Sequence, residues 1–206
     1  EERAPCAEHD PLRKAYFGDL HVHTAFSFDA RTYDVRTSPA DAYRFARGAP
    51  IKLAPLDANG DGTTEVRIDR PLDFAAVTDH AEYLGEVSLC TTPGSPAYDT
   101  ETCTSYRPPA ISYLGFGIGA DPPARADFCQ GTTLCTDAAA PVWKATQEAA
   151  ESAYDRSSAC AFTTFVAYEY SLSPFGTNLH RNVIFRNAKT VSAPITNPAC
   201  TPLDSI

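Results

Sequence analysis

The sequence predicts a single α/β domain, and three observations lead there. Short apolar runs rich in aromatic and β-branched residues, at Phe74–Val77 and Phe162–Tyr168, read as buried strands. A segment with a helix cap precedes them at Ser38–Arg47, and one with helical apolar spacing lies between them at Thr136–Arg156. The predicted strands also deliver ligand-type side chains near their C-terminal ends: His21 and His23, then His80, then Glu169. That end is where barrels and open α/β folds build their active sites. With 206 residues, 43% of them hydrophobic and 21% charged, the chain is long enough to bury one real core.

The first strand leads into Gly18-Asp19-Leu20-His21-Val22-His23-Thr24. Period-2 alternation sends the rings of His21 and His23 to one side, where they can share an ion. Ser38-Pro39-Ala40-Asp41 is an N-cap followed by Pro at N1, opening a helix through Arg47 that Gly48 ends. Ile51-Lys52-Leu53 and Glu65-Val66-Arg67-Ile68 then alternate like strands around Asp57-Ala58-Asn59-Gly60-Asp61-Gly62-Thr63, which has the form of half a calcium loop. Its twelfth position is Ile68, where a bidentate carboxylate is required, so a hairpin with an Asp-Gly turn is expected at Asp57–Asp61 and calcium is not.

Ala76-Val77-Thr78-Asp79-His80 closes the second strand. Many of the 17 prolines fall between Cys90 and Cys135, where periodicity is scarce, so 90–135 reads as a long functional or lid-like insertion. Thr136–Arg156 is the longest helical segment, with Ala140, Val142, Trp143, Ala149 and Tyr154 as core-facing candidates. Glu169 ends the third strand, His180 follows in Asn178-Leu179-His180-Arg181-Asn182, and 188–206 reads as an exposed Pro-rich connector. His9 carries no such context.

Seven cysteines with no Cys-x-x-Cys pair read as oxidised structural residues. Cys90–Cys103 and Cys129–Cys135 are expected as local disulfides. Cys6, Cys160 and Cys200 remain, so at least one is free or bonded outside this chain. That usage implies an extracytoplasmic compartment, whether periplasmic, cell-surface or secreted. The start at Glu1 and the lack of Met fit a processed chain whose export signal has been removed. No apolar run approaches the ~20 residues of a membrane span. The formal net charge of −9 argues against a grip on long nucleic acid or an anionic membrane. Small phosphate esters stay admissible, because bound cations invert the local field.

Taken in order, His21-x-His23, Thr78-Asp79-His80, Glu169 and His180 resemble the first motifs of the PHP (polymerase and histidinol phosphatase) superfamily of metal-dependent phosphoesterases. The longer strings Ala15-Tyr16-Phe17-Gly18-Asp19-Leu20-His21-Val22-His23-Thr24, Pro71-Leu72-Asp73-Phe74 and Leu179-His180-Arg181-Asn182-Val183-Ile184-Phe185 are similar to its DUF3604 branch. The likeness runs from about Lys14 to about Asn187. It implies an incomplete PHP-type distorted (β/α)7 barrel with a long disulfide-stapled insertion. A complete barrel takes about 250 residues, so residues 1–206 are expected to form the N-terminal part of a single PHP-like domain.

The same resemblance implies a metal set of His21, His23, Asp29, His80, Glu169 as a bridging carboxylate, and His180. Asp19 and Asp79 would fix an imidazole tautomer, and Arg181 would add a bidentate contact to phosphate or carboxylate. The family's later His and its Asp-x-His motif have no counterpart before Ile206, so a C-terminal portion or a partner chain is expected to supply them. Two or three divalent ions (zinc, manganese or iron) lower the pKa of a bound water from about 15.7 toward 7. The expected function is an exported metal-dependent hydrolase, a phosphoesterase acting on a small phosphate ester. The alternative is a non-catalytic extracellular structural or assembly module whose metal site is vestigial or structural. An open cluster of two or three ions separates the first from a closed four-coordinate site, or none.

Overall fold

Parallel pairing of short strands positions the site. The computed structural model describes residues 3, 5–8, 10–108, 124–172 and 179–196. Along these run β1 (Gly18–Val22), α1 (Phe28–Thr32), α2 (Pro39–Ala46), β2 (Ile51–Leu56), β3 (Gly62–Val66), β4 (Phe74–Val77), α3 (Leu84–Thr91), α4 (Glu101–Tyr106), a 3-10 turn (Asp127–Cys129), α5 (Leu134–Ala153), β5 (Thr163–Phe165), β6 (Ala167–Leu172) and β7 (Leu179–Ile184). The architecture is mixed α/β with small sheets. β1, β4 and β5 form a parallel sheet in the order β1-β4-β5, while β2–β3 and β6–β7 are antiparallel pairs. Gly18 pairs with Phe74 and Phe74 with Thr163, so the three strands start level and run toward the same end.

Beyond β4 the chain keeps its parallel course. His80 bridges Glu169, with the Glu169 amide donating to Asp79 O and the Ala81 amide to Glu169 O. Glu169 is therefore the third residue of β6 and not the end of a strand; the run expected to stop at Tyr168 breaks at Val166 and resumes to Leu172.

Local chemistry explains α2. The Ser38 hydroxyl accepts from the Asp41 amide, Asp41 accepts from the Ser38 amide at 2.9 Å, Pro39 sits at N1, and Gly48 (φ +89°) follows the helix. The β2–β3 hairpin forms, but its turn spans Asp57–Asp61 around Asn59-Gly60 (φ +84° at Gly60), and Gly62 already starts β3. Asp57 Oδ1 is taken by the amides of Asn59 and Asp61.

The insertion differs most from expectation. Helix α4 lies inside it, Cys103 and Tyr106 are buried, and Cys90–Cys103 and Cys129–Cys135 are both bonded. These residues build a core cluster with Phe28, Tyr83 and Val87, so the described part of 90–135 is packed structure and not a lid. Buried Glu86 anchors it through a two-point ion pair with Arg125, 2.6 Å at each oxygen. Helix α5 begins at Leu134 and ends at Ala153. It buries Cys135 in that first cluster, and Val142, Trp143 and Ala150 in a second cluster containing Tyr43, Val77, Phe162 and Tyr168, with Thr146 also buried. Ala140 lies on its exposed side, and Ala149 and Tyr154 are half-buried.

Cys6 pairs with Cys160, which ties the N-terminal segment across the start of β5; Cys200 lies outside the described residues. Residues 188–196 are not a loose connector. Trp143 Nε1 donates to Val191 O, the Ile195 amide donates to the Tyr168 hydroxyl, and Thr196 is buried. Three disulfides are consistent with an extracellular protein. Among the described residues no helix is long and apolar enough to cross a membrane.

Candidate metal centre

The strand ends bring four imidazoles and two carboxylates together. His21 is the penultimate residue of β1 and His23 follows its end, and their ring centroids are 5.0 Å apart on one side of the strand. His21 Nε2 lies 3.0 Å and His23 Nε2 2.7 Å from Glu169 Oε2. His180 Nδ1 contacts the other oxygen, Oε1. The β6–β7 register pairs Ser171 with His180 and Glu169 with Asn182, so the pleat sends Glu169, Ser171, His180 and Asn182 to one face. Asp29, in the first turn of α1, approaches His23 Nδ1 at 3.0 Å and His80 Nε2 at 3.6 Å. His80 Nε2 is also 3.9 Å from Glu169 Oε2.

Three donor trios follow, each with its ligand atoms within 4.8 Å of one another: His21, His23 and Glu169; His23, Asp29 and His80; His80, Glu169 and His180. Tetrahedral ligands at bonds of about 2.1 Å stand roughly 3.4 Å apart, and the measured separations bracket that spacing. The donor set, imidazole nitrogen with carboxylate oxygen, suits zinc, manganese or iron. His23 also has a carboxylate facing each ring nitrogen, so without a cation only a doubly protonated ring satisfies both. A metal ion would stand where that proton stands.

The electrostatics agree. Burial alone would lower His80, but Asp29, Glu82 and Glu169 around it raise it to about 9. His23 is raised as well, Asp29 outweighing burial. Burial pushes Asp29 and Glu169 up, yet the surrounding histidines hold both below their ordinary values.

Two other carboxylates frame the centre. Asp79 is buried, accepts from the Thr24 amide and hydroxyl, and is pushed up to about 6 by burial, against those hydrogen bonds. Asp19 is exposed and accepts from the His21 amide at 2.9 Å. Neither touches an imidazole, so the expected tautomer-fixing role falls elsewhere. Asp29 faces His23 Nδ1; Ser171 Oγ (2.7 Å) and Glu82 Oε2 (3.7 Å) face His80 Nδ1. Glu82 is buried, with Oε1 accepting the Ser171 amide and Oε2 lacking a hydrogen-bond partner among the described residues. Ser27 joins the group by donating to Asp29 and accepting the His80 amide.

Sequence reasoning missed Glu82, Ser171 and Ser27. A signal existed for the first two: each stands two residues after a ligand-type residue, the same period-2 spacing that links His21 to His23. Arg181 pairs with Tyr170 on the opposite face of the hairpin from His180 and donates to His180 O, so it is not brought into the cluster. A fourth grouping, Glu86 with Cys129 and Cys135, has its sulfurs in a disulfide and its carboxylate on Arg125.

The model of the family DUF3604, described as a protein of unknown function, matches residues 10–202. No curated protein and no solved structure matches the chain.

Proposed function

The chain belongs to the DUF3604 family, and from that premise we propose that it is an exported metal-dependent hydrolase of the PHP type, a phosphoesterase acting on a small phosphate ester. The observation that carries the reading is the set of three overlapping donor trios at the C-terminal end of parallel strands. Glu169 enters two trios through separate oxygens, as a carboxylate shared by two ions would. On this reading β1, β4, β5 and β6 are part of the wall of a distorted (β/α)7 barrel. Its later ligands come from a C-terminal portion of the polypeptide or a partner chain.

His21, His23, Asp29, His80, Glu169 and His180 would hold two or three divalent ions. Such ions supply Lewis acidity and a water whose pKa falls from about 15.7 toward 7. The chain's own residues set the stage for that chemistry. Glu82 and Ser171 orient the His80 ring, Asp29 orients His23, and Phe28, stacked on His80 at 4.6 Å, shields the inner side of the centre from water. Three disulfides favour an extracytoplasmic setting.

Native mass spectrometry with metal analysis, followed by turnover on a phosphate-ester panel, tests this on the natural polypeptide. The expected result is two or three divalent ions per chain and metal-dependent hydrolysis that His21→Ala abolishes. Equal turnover by parent and His21→Ala after metal reconstitution overturns the catalytic assignment. A single closed four-coordinate ion would favour the assembly-module reading.

A further inference from the structure

The opposite end of the strands carries a second feature. A cavity of about 490 Å3 opens where β5 begins, lined by Arg3, Arg156, Arg186 and Lys189 around Tyr154 and Thr163. Thr163 pairs with Phe74 at the start of β4, whereas His80 follows that strand's end, so this cavity is separate from the histidine cluster. Four cations in one hollow are out of keeping with a chain of net charge −9. Their counter-charges are few. Glu151 pairs with Arg156, and the Asp155 carboxylate turns into its own loop to accept the Ser157 and Ala161 amides.

The hollow is built, not incidental. Arg3 donates from Nε to Asp155 O (2.9 Å) and from Nη2 to Phe162 O (3.0 Å) and Thr163 Oγ1 (2.9 Å). Its guanidinium lies 4.4 Å from the Tyr154 ring centroid, and that of Arg156 lies 4.9 Å from the same centroid. The Cys6–Cys160 disulfide and the bond from the Ala7 amide to Ser158 O secure the segment that carries Arg3. Donors are left over: Arg3 Nη1, the Arg186 guanidinium and the Lys189 ammonium have no acceptor among the described residues. Like charges that line one concavity repel one another, and an anion among them would relieve that repulsion.

We propose that this cavity binds a small polyanion, a compound bearing two or more phosphate or sulfate groups. The free donors of Arg3 Nη1, Arg186 and Lys189, drawn from two segments of the chain, can engage more than one oxyanion group, and guanidinium forks match phosphate and sulfate oxygens. The volume is that of a small-molecule site, and the acidic remainder of the surface repels long polyanions.

Isothermal titration of the metal-stripped protein with inorganic pyrophosphate at low ionic strength tests the proposal, and a variant of the cavity's own cations separates its binding from any at the histidine cluster. The expected result is saturable binding that weakens with salt and is tighter than for inorganic sulfate. The Arg186→Ala/Lys189→Ala variant should raise Kd by about tenfold or more with an unchanged melting temperature, since neither side chain holds the fold. Absence of saturable binding by the parent, or equal affinity in the variant, overturns the site. Neither outcome bears on the hydrolase reading.

Discussion

His80 is held on every side: Phe28 stacks on its ring, its amide donates to Ser27, its Nε2 faces Asp29 and Glu169, and its Nδ1 faces Ser171 and Glu82. Glu82 is the informative member because it is a buried carboxyl that faces the His80 ring at the nitrogen turned away from the cluster. If the cluster holds metal, Glu82→Gln should weaken divalent-ion affinity by about 10–100-fold while leaving the melting temperature within a few degrees. Competition against a fluorescent chelator reads this directly. Unchanged affinity would mean that Ser171 alone orients the ring. Glu82 was legible only as a spacing, since what makes it matter is burial, and burial is not written in three consecutive residues.

Gly85 decides how closely α3 and α5 approach. A Cβ added there would stand 1.9 Å from Cys135 O, a backbone atom that cannot swing aside. Gly85→Ala should therefore destabilise the protein by roughly 1–3 kcal/mol through forced separation of the two helices. A lowered urea midpoint at unchanged slope would verify it, and an unaltered midpoint would show that the crossing relaxes without cost. Elements governed by local chemistry were readable: α2 from its cap, Pro and Gly, and the β2–β3 hairpin from alternation. Helix α4 was not, because Cys103 and Tyr106 give a six-residue segment too little periodicity, and it is stable only because Phe28 and the disulfide pack against it.

Over the whole molecule, the long-range link is Cys6–Cys160, 154 residues apart. On chain-entropy grounds it restricts the unfolded state by about 5 kcal/mol, against about 2–3 for each of the two local disulfides. Cys6→Ala/Cys160→Ala should consequently lower stability by several kcal/mol in denaturant unfolding, more than loss of Cys129–Cys135 does. Non-reducing peptide mapping should recover the pairs 6–160, 90–103 and 129–135. A free thiol at Cys6 in the native protein would remove this strap, and with it the wall that carries Arg3.

By itself the sequence determined the α/β class, the strands leading to His80 and Glu169, the local disulfides, and the placing of His21 and His23 on one side of a strand, whereas the full set of six residues came from the resemblance to a family. The former follow from period, cap chemistry and short spacing, which act within a few residues of each other. Only the tertiary structure decided that Cys160 pairs with Cys6, that Asp79 serves Thr24 while Glu82 serves His80, that Arg181 turns away, and that four cations surround one cavity. Those outcomes depend on which distant segments share a burial environment. That is set by packing over the whole chain, where register along β4, β6 and β7 fixes each side chain's face and leaves no freedom to local preference.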